Sequence, residues 1–291
     1  MLTCALFALL TQTQEPAARS GVGAARIAGT AYVVGGATTN GGFAKDLLAY
    51  EIKARKWTTR ASLPEQIAFP AVVAAGGKLY VFGGLHTDGS ACGHTRVYDP
   101  ALDKWSNLGN IPTPRSRAAA AVSANKVILI GGIGPDGKNS PRVESYDTVS
   151  KLWGRLEPLK SARHGHVAQT VRDRIVVAGG YAGDDMELTA SVEVYEPGKG
   201  WSDGPSLPET RGFAQSIAYQ NSVWVFGNRG GAMHPVRLDP NEGAWKPSKA
   251  FDVTRHRGGA VELGGRVYLL FGEEGEKAVA VFDFVRDDWS R

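Results

Sequence analysis

The sequence predicts an all-β fold in which six repeated units, each of four short antiparallel strands, close into a ring. Three observations carry this. First, a glycine doublet ends an apolar run repeatedly: "YVVGG" at Gly36, "YVFGG" at Gly84, "ILIGG" at Gly132 and "VVAGG" at Gly180, then degenerate copies "WVFGN" at Asn228 and "LLFG" at Gly272. Second, tryptophan keeps the same beat at Trp57, Trp105, Trp153, Trp201, Trp245 and Trp289, with Trp224 outside the series. Third, sixteen residues before the first doublet position stand Arg19, Ile67, Arg115, Arg163, Arg211 and Arg255. The steps between units are 48 residues, the last one 44. Markers locked in register at this period mean a repeat architecture.

Each unit reads as strands a to d. In the second unit these are "PAVVAA" (a), "KLYVFGG" (b), "HTRVYDP" (c) and "KWSNL" (d). Strand a is the innermost, and strand b is an apolar run that stops at the glycines. Strand c carries a large residue seven before the tryptophan, as Tyr50, Tyr98, Tyr146, Leu238 and Phe282, with Tyr195 six before. A turn signal such as Asp-Pro separates c from d. Four-stranded units repeated six times read as a six-bladed β-propeller, with blades at about 19–66, 67–114, 115–162, 163–210, 211–254 and 255–291. Tyrosine and tryptophan are expected to fill the space between blades. The glycines are expected where strands near the axis leave no room for a Cβ.

The doublet with its spaced Tyr and Trp resembles the Kelch-repeat family, over about residues 19–291. The resemblance implies a propeller whose loop face binds a protein or a carbohydrate; no cofactor is expected. The family includes exported six-bladed N-acetylneuraminate epimerases (mutarotases), which implies acid–base work on an acidic sugar as the alternative. There the catalytic glutamate follows a glycine in a degenerate doublet, with an arginine six residues later. Here Glu273 follows Gly272, but the position six beyond is Val279, so Arg255 or Arg257 would have to supply the cation. The central domain of galactose oxidase also resembles this chain, but its copper ligands cannot be mapped onto it.

Composition narrows the rest. The 291 residues suffice for a large core, and 37 glycines suit many tight turns. A net charge of +4 without a basic run does not point to nucleic acid. The apolar start "MLTCALFALL" is too short to span a bilayer. It resembles a secretory signal without its basic n-region, so residues 1–18 are read as a leader, or as a segment completing blade six. Export is expected over a cytoplasmic location, and a monomer is expected. Cys4 and Cys92 form no disulfide framework.

Residues that recur in every blade serve the fold first, so the arginine series reads as bracing. Departures from the repeat are better functional candidates. The b–c loops and d–a connections share one face, and the short glycine-to-tryptophan spacing of blades five and six leaves an open flank there. On that face Arg117 joins Arg115, His164 and His166 join Arg163, and His256 and Arg257 join Arg255, with Arg211 in the same series. These segments lead into strand a, at the mouth of the channel. Converging guanidinium and imidazole groups favour a carboxylate or other anion. His164 and His166 share a face if the strand is regular, but no third metal ligand follows by spacing, and no metal is expected. Cys92 reads as an inert loop cysteine. No nucleophile-elbow, zincin or Walker motif occurs.

Overall fold

The computed structural model describes residues 15–229, 231, 234–238, 243–248, 255–273 and 278–289. Six four-stranded antiparallel sheets follow one another along the chain. Strand a of each is Gly23–Ile27, Ala71–Ala75, Ala119–Ser123, Val167–Val171, Gln215–Tyr219 and Gly259–Leu263. These six strands neighbour one another in sequence order, and Gly259–Leu263 returns to Gly23–Ile27, so the ring closes on itself. The protein is a six-bladed β-propeller, as expected. Residues 1–14, which hold most of the expected leader, lie outside the described residues.

The core is not a central ball but six seams. One apolar cluster lies between each pair of neighbouring blades: Tyr32, Leu79 and Tyr98 join blades one and two, for instance, and Tyr50, Trp57, Tyr268 and Phe271 join blades six and one. Within a blade the strand-c ring packs on the strand-d tryptophan, with centroids 4.8 Å apart for Tyr50–Trp57 and 5.1 Å for Tyr146–Trp153. The tryptophan also reaches across its seam. Trp105 Nε1 donates to the Ala61 carbonyl at 2.7 Å, Trp201 to Glu157 at 2.7 Å and Trp245 to Pro205 at 2.8 Å. Packing at the seam, reinforced by this hydrogen bond in three blades, explains the beat; Trp153 packs at its seam with Nε1 unpartnered among the described residues.

The glycine doublet is crowded, but by the next blade instead of the axis. A Cβ on Gly35, Gly83, Gly131, Gly179 or Gly227 would strike the carbonyl oxygen of Ile67, Arg115, Arg163, Arg211 or Arg255, each the marker residue of the following blade. The second glycine uses the same carbonyl. Gly36, Gly84, Gly132 and Gly180 donate their N–H to it at 2.6–3.0 Å, and Gly272 closes the ring by donating to Arg19 at 3.0 Å. Glycine is required because the backbone must approach the neighbour within hydrogen-bond reach at positive φ.

The arginine series supplies the other half of this joint. Arg115 Nη1 donates to the Gly131 carbonyl at 3.3 Å, Arg163 to Gly179 at 3.1 Å, Arg211 to Gly227 at 3.3 Å and Arg255 to Phe271 at 3.1 Å. Each guanidinium therefore grips the first doublet position of its own blade, while its backbone carbonyl binds the preceding blade. Carboxylates balance the charge: buried Glu144 for Arg115, buried Glu193 at 2.8 Å from Arg163, and half-exposed Asp46 at 3.0 Å from Arg19.

Candidate functional site

The mouth of the channel is built by one residue per blade, two after each marker: Gly21, Phe69, Arg117, Gly165, Phe213 and Arg257. Each donates its backbone N–H to the carbonyl of the one before it. Phe69 donates to Gly21, Arg117 to Phe69, Gly165 to Arg117, Phe213 to Gly165, Arg257 to Phe213, and Gly21 to Arg257, at 2.6–3.1 Å. The result is a closed collar of six hydrogen bonds. All six residues have φ between 53° and 64°. For four of them this is a left-handed conformation that side chains rarely adopt. The ring of interlocking bonds holds it.

Positive φ is what aims the collar side chains. Phe69 and Phe213 face each other with centroids 5.8 Å apart. The Arg117 guanidinium lies 4.8 Å from the Phe69 ring, and that of Arg257 4.9 Å from Phe213 and 5.6 Å from Phe69. Two phenyl faces thus carry two cations, a favourable electrostatic pairing. The collar encloses about 100 Å³, room for roughly three water molecules. Beyond it the channel opens again to about 360 Å³ between the strands a, where Arg26, Gln169, Thr170 and Glu262 are the polar residues.

Charge at the mouth is lopsided. Glu273 accepts from Arg257 at 2.5 Å, lies 2.8 Å from His256 Nε2 and accepts from Ser20 Oγ at 3.2 Å. Burial pushes its carboxyl up, but Arg257, His256 and Ser20 outweigh it, so the net shift is below the usual glutamate range. Among the described residues Arg117 has no carboxylate partner. Burial, then the charges of Arg257 and Arg229, pull its guanidinium below the usual arginine range. Arg229 reaches the Tyr181 hydroxyl at 3.4 Å. Three cations therefore face one carboxylate among the described residues at the mouth.

The structure divides the expected site residues. Arg117, Arg257, His164, His256 and Glu273 come together around the collar. Arg115, Arg163, Arg211 and Arg255 do not reach it: all are buried, and their guanidiniums are bound within the blade joints just described. They correct the expectation that the whole series converges on the mouth, because each turns back along its own blade. His164 stacks on Tyr181 at 5.1 Å and shares Nδ1 with Asn139 Oδ1 at 2.7 Å. His166 turns away and packs beside Gly131 of the previous blade. The two histidines diverge because Gly165 between them is left-handed, which breaks strand alternation. Burial pushes His164 down to about 4, with help from Arg117 and Arg229, and pushes fully buried His166 well below the usual range. Both are neutral at pH 7.

The broken doublets are explained in part. Asn228 replaces the second glycine of blade five, and its Oδ1 accepts the Gly212 N–H at 2.8 Å. Phe271 replaces the first glycine of blade six and packs on Trp57 at 5.3 Å, sealing the seam where the ring closes. Reasoning from sequence missed Phe69 and Phe213. Their signal was available: they are the only aromatic residues at the position two after the marker.

Comparisons with known proteins agree with this architecture. No match to a curated protein was found by sequence. A solved structure titled "Structure of YjhT" superposes with a TM-score of 0.79 over 95% of this chain and 98% of that one, at 15% identity. That likeness concerns the fold. The profile described as Attractin/LZTR1 beta-propeller matches residues 31–242, nearly three quarters of the chain. With its six blades, its doublets and its closed seams, the chain belongs to the Attractin/LZTR1 β-propeller family, of Kelch type.

Proposed function

We propose that this propeller is a binding module, and that its loop face takes a carboxylate borne by a carbohydrate or a protein. One observation carries the reading: among the described residues the Arg117 guanidinium stands at the collar without an acidic partner, beside Arg257 and Arg229. Placing three cations against one carboxylate is unfavourable for the isolated protein. An incoming anion relieves it through charge-assisted hydrogen bonds. The size of the collar sets the mode. A space of about 100 Å³ admits a carboxylate but not a sugar ring, so the body of the ligand lies across the face above. The test is a thermal-shift panel of matched acidic and neutral sugars and short peptides. Acidic members raise the melting temperature of the wild type, and Arg117→Ala removes the shift. Equal responses to acidic and neutral members would refute the reading.

A second reading is favoured by the Glu273–His256 pair. A carboxylate 2.8 Å from an imidazole, next to Arg257, is equipped to pass a proton at a sugar hydroxyl. Arg257 then stands where the resemblance lacked its arginine. This reading is mutarotation of an acidic sugar such as N-acetylneuraminate. Anomeric exchange followed by NMR decides it: acceleration that Glu273→Gln abolishes supports it, and no acceleration by the wild type removes it.

A further inference from the structure

Blade two departs from its neighbours at its marker, in strand c and in the connection that precedes it. The marker residue is Ile67 instead of arginine, so the buried joint cannot take the usual Arg–Glu form. Arg96 stands instead at the strand-c position held by Glu144 and Glu193 in the next two blades: it pairs with Val81 as they pair with Leu129 and Val177. Its partner is Glu65, whose Oε2 accepts from Arg96 Nη2 at 2.8 Å. The charges have been exchanged between the two elements. This leaves Glu65 Oε1 turned toward the b–c loop, 3.3 Å from His94 Nδ1.

The loop has changed in the same place. In blades three and four a hydroxyl caps the approach to strand c, as Ser140 Oγ accepts the Arg142 N–H at 3.2 Å and Thr189 Oγ1 accepts the Ser191 N–H at 3.1 Å. In blade two the same turn is made by a thiol: Cys92 Sγ accepts the His94 N–H at 3.4 Å. The turn needs only an acceptor, so the fold does not call for sulfur. Nor does it call for an imidazole two residues on. Yet Cys92 Sγ, a His94 ring nitrogen and a Glu65 carboxylate oxygen all lie within 4.8 Å of one another.

We propose that Glu65, Cys92 and His94 form a zinc site in blade two, distinct from the collar. Thiolate, imidazole and carboxylate are the ligand types of zinc, and three of them leave a fourth position for water. The distances fit. Two ligands each about 2.0–2.1 Å from a tetrahedral zinc stand about 3.3 Å apart, the separation of Glu65 Oε1 from His94 Nδ1. The supporting contacts are already in place, since Arg96 holds the other Glu65 oxygen and the His94 N–H points at the sulfur. Access is from the loop side: Cys92 is 1% exposed, but the side chains of His94 and Glu65 are 40% and 20% exposed. His86 borders the open side, its ring 6.3 Å from that of His94. Binding releases the thiol proton to solvent and shifts the imidazole proton to Nε2, freeing Nδ1 for the metal.

The experiment uses the full chain, stripped with a chelator and titrated with Co²⁺ as an optical substitute, then with Zn²⁺ in competition. The expected result is one Co²⁺ per chain, a thiolate-to-metal charge-transfer band, tetrahedral d–d absorption, and displacement by Zn²⁺. Cys92→Ser removes the charge-transfer band, and His94→Ala weakens binding by roughly tenfold or more. Serine at position 92 keeps the turn, as Ser140 does in blade three, so the metal-free variant melts like the wild type. A cobalt spectrum without a thiolate band, or affinity unchanged in both variants, would overturn the proposal. The collar variants Arg117→Ala and Glu273→Gln leave metal binding unchanged.

Discussion

At the scale of the residue, arginine has two separate employments here. Arg163 is fully buried, and its guanidinium meets Gly179, Ser191 and Glu193. Arg117, two residues past Arg115, meets a phenyl face and other cations. Arg163→Ala leaves Glu193 buried without its partner and is expected to cost about 3–5 kcal/mol in urea denaturation. Arg117→Ala is expected to change stability by no more than about 0.5 kcal/mol while weakening ligand binding. The register of both arginines was legible in the sequence, but their directions were not. Collar residues sit at positive φ, which turns side chains away from where strand alternation would send them.

The neutral histidines give the protein an acid-sensitive joint. His164 and His166 both titrate lower in the folded state than unfolded, so the unfolded chain binds more protons as pH falls through about 6.5. Stability therefore falls with pH in that window, by up to about 1.4 kcal/mol per pH unit for each histidine. The fall continues until His164 itself titrates near 4. Equilibrium unfolding of the wild type and His166→Gln at pH 7, 6 and 5 checks this: the variant shows the shallower dependence.

At the scale of the element, the doublet is a joint between blades. Gly83 and Gly77 both have positive φ, 59° and 72°, but a Cβ on Gly83 strikes the Arg115 carbonyl while one on Gly77 meets nothing. Gly83→Ala is expected to cost about 1–3 kcal/mol more than Gly77→Ala in denaturant titrations, the difference being overpacking of the seam. The sequence announced the doublet by repetition, and repetition assigned it to the fold. The partner of the doublet was not legible, because it is a backbone carbonyl about two thirds of a repeat further along the chain, and a carbonyl is the same whichever side chain its residue carries. The zinc ligands escaped for a similar reason. Glu65 comes from the connection before blade two, and Cys92 and His94 from the loop within it.

At the scale of the whole molecule, stability comes from closure. Each apolar cluster belongs to two blades, so none is complete until its neighbour has folded. Deleting residues 255–291 uncovers the partners of Val261 and Phe271 on blade one and of Val267 and Phe282 on blade five. The truncated chain is expected to lose cooperative unfolding and to bind a hydrophobic dye, whereas the full chain unfolds in one transition. Closure also makes the collar. Six backbone bonds pass round the axis with no gap, so four left-handed side chains are held over a space of about 100 Å³.

The most direct test of the account is a calorimetric titration with an acidic sugar that raises the melting temperature, run on the wild type and on Arg117→Ala. One ligand per wild-type chain is expected, with affinity that weakens with salt and a loss of roughly tenfold to a hundredfold in Arg117→Ala, the worth of a charge-assisted hydrogen bond. Wild-type affinity in Arg117→Ala would contradict it.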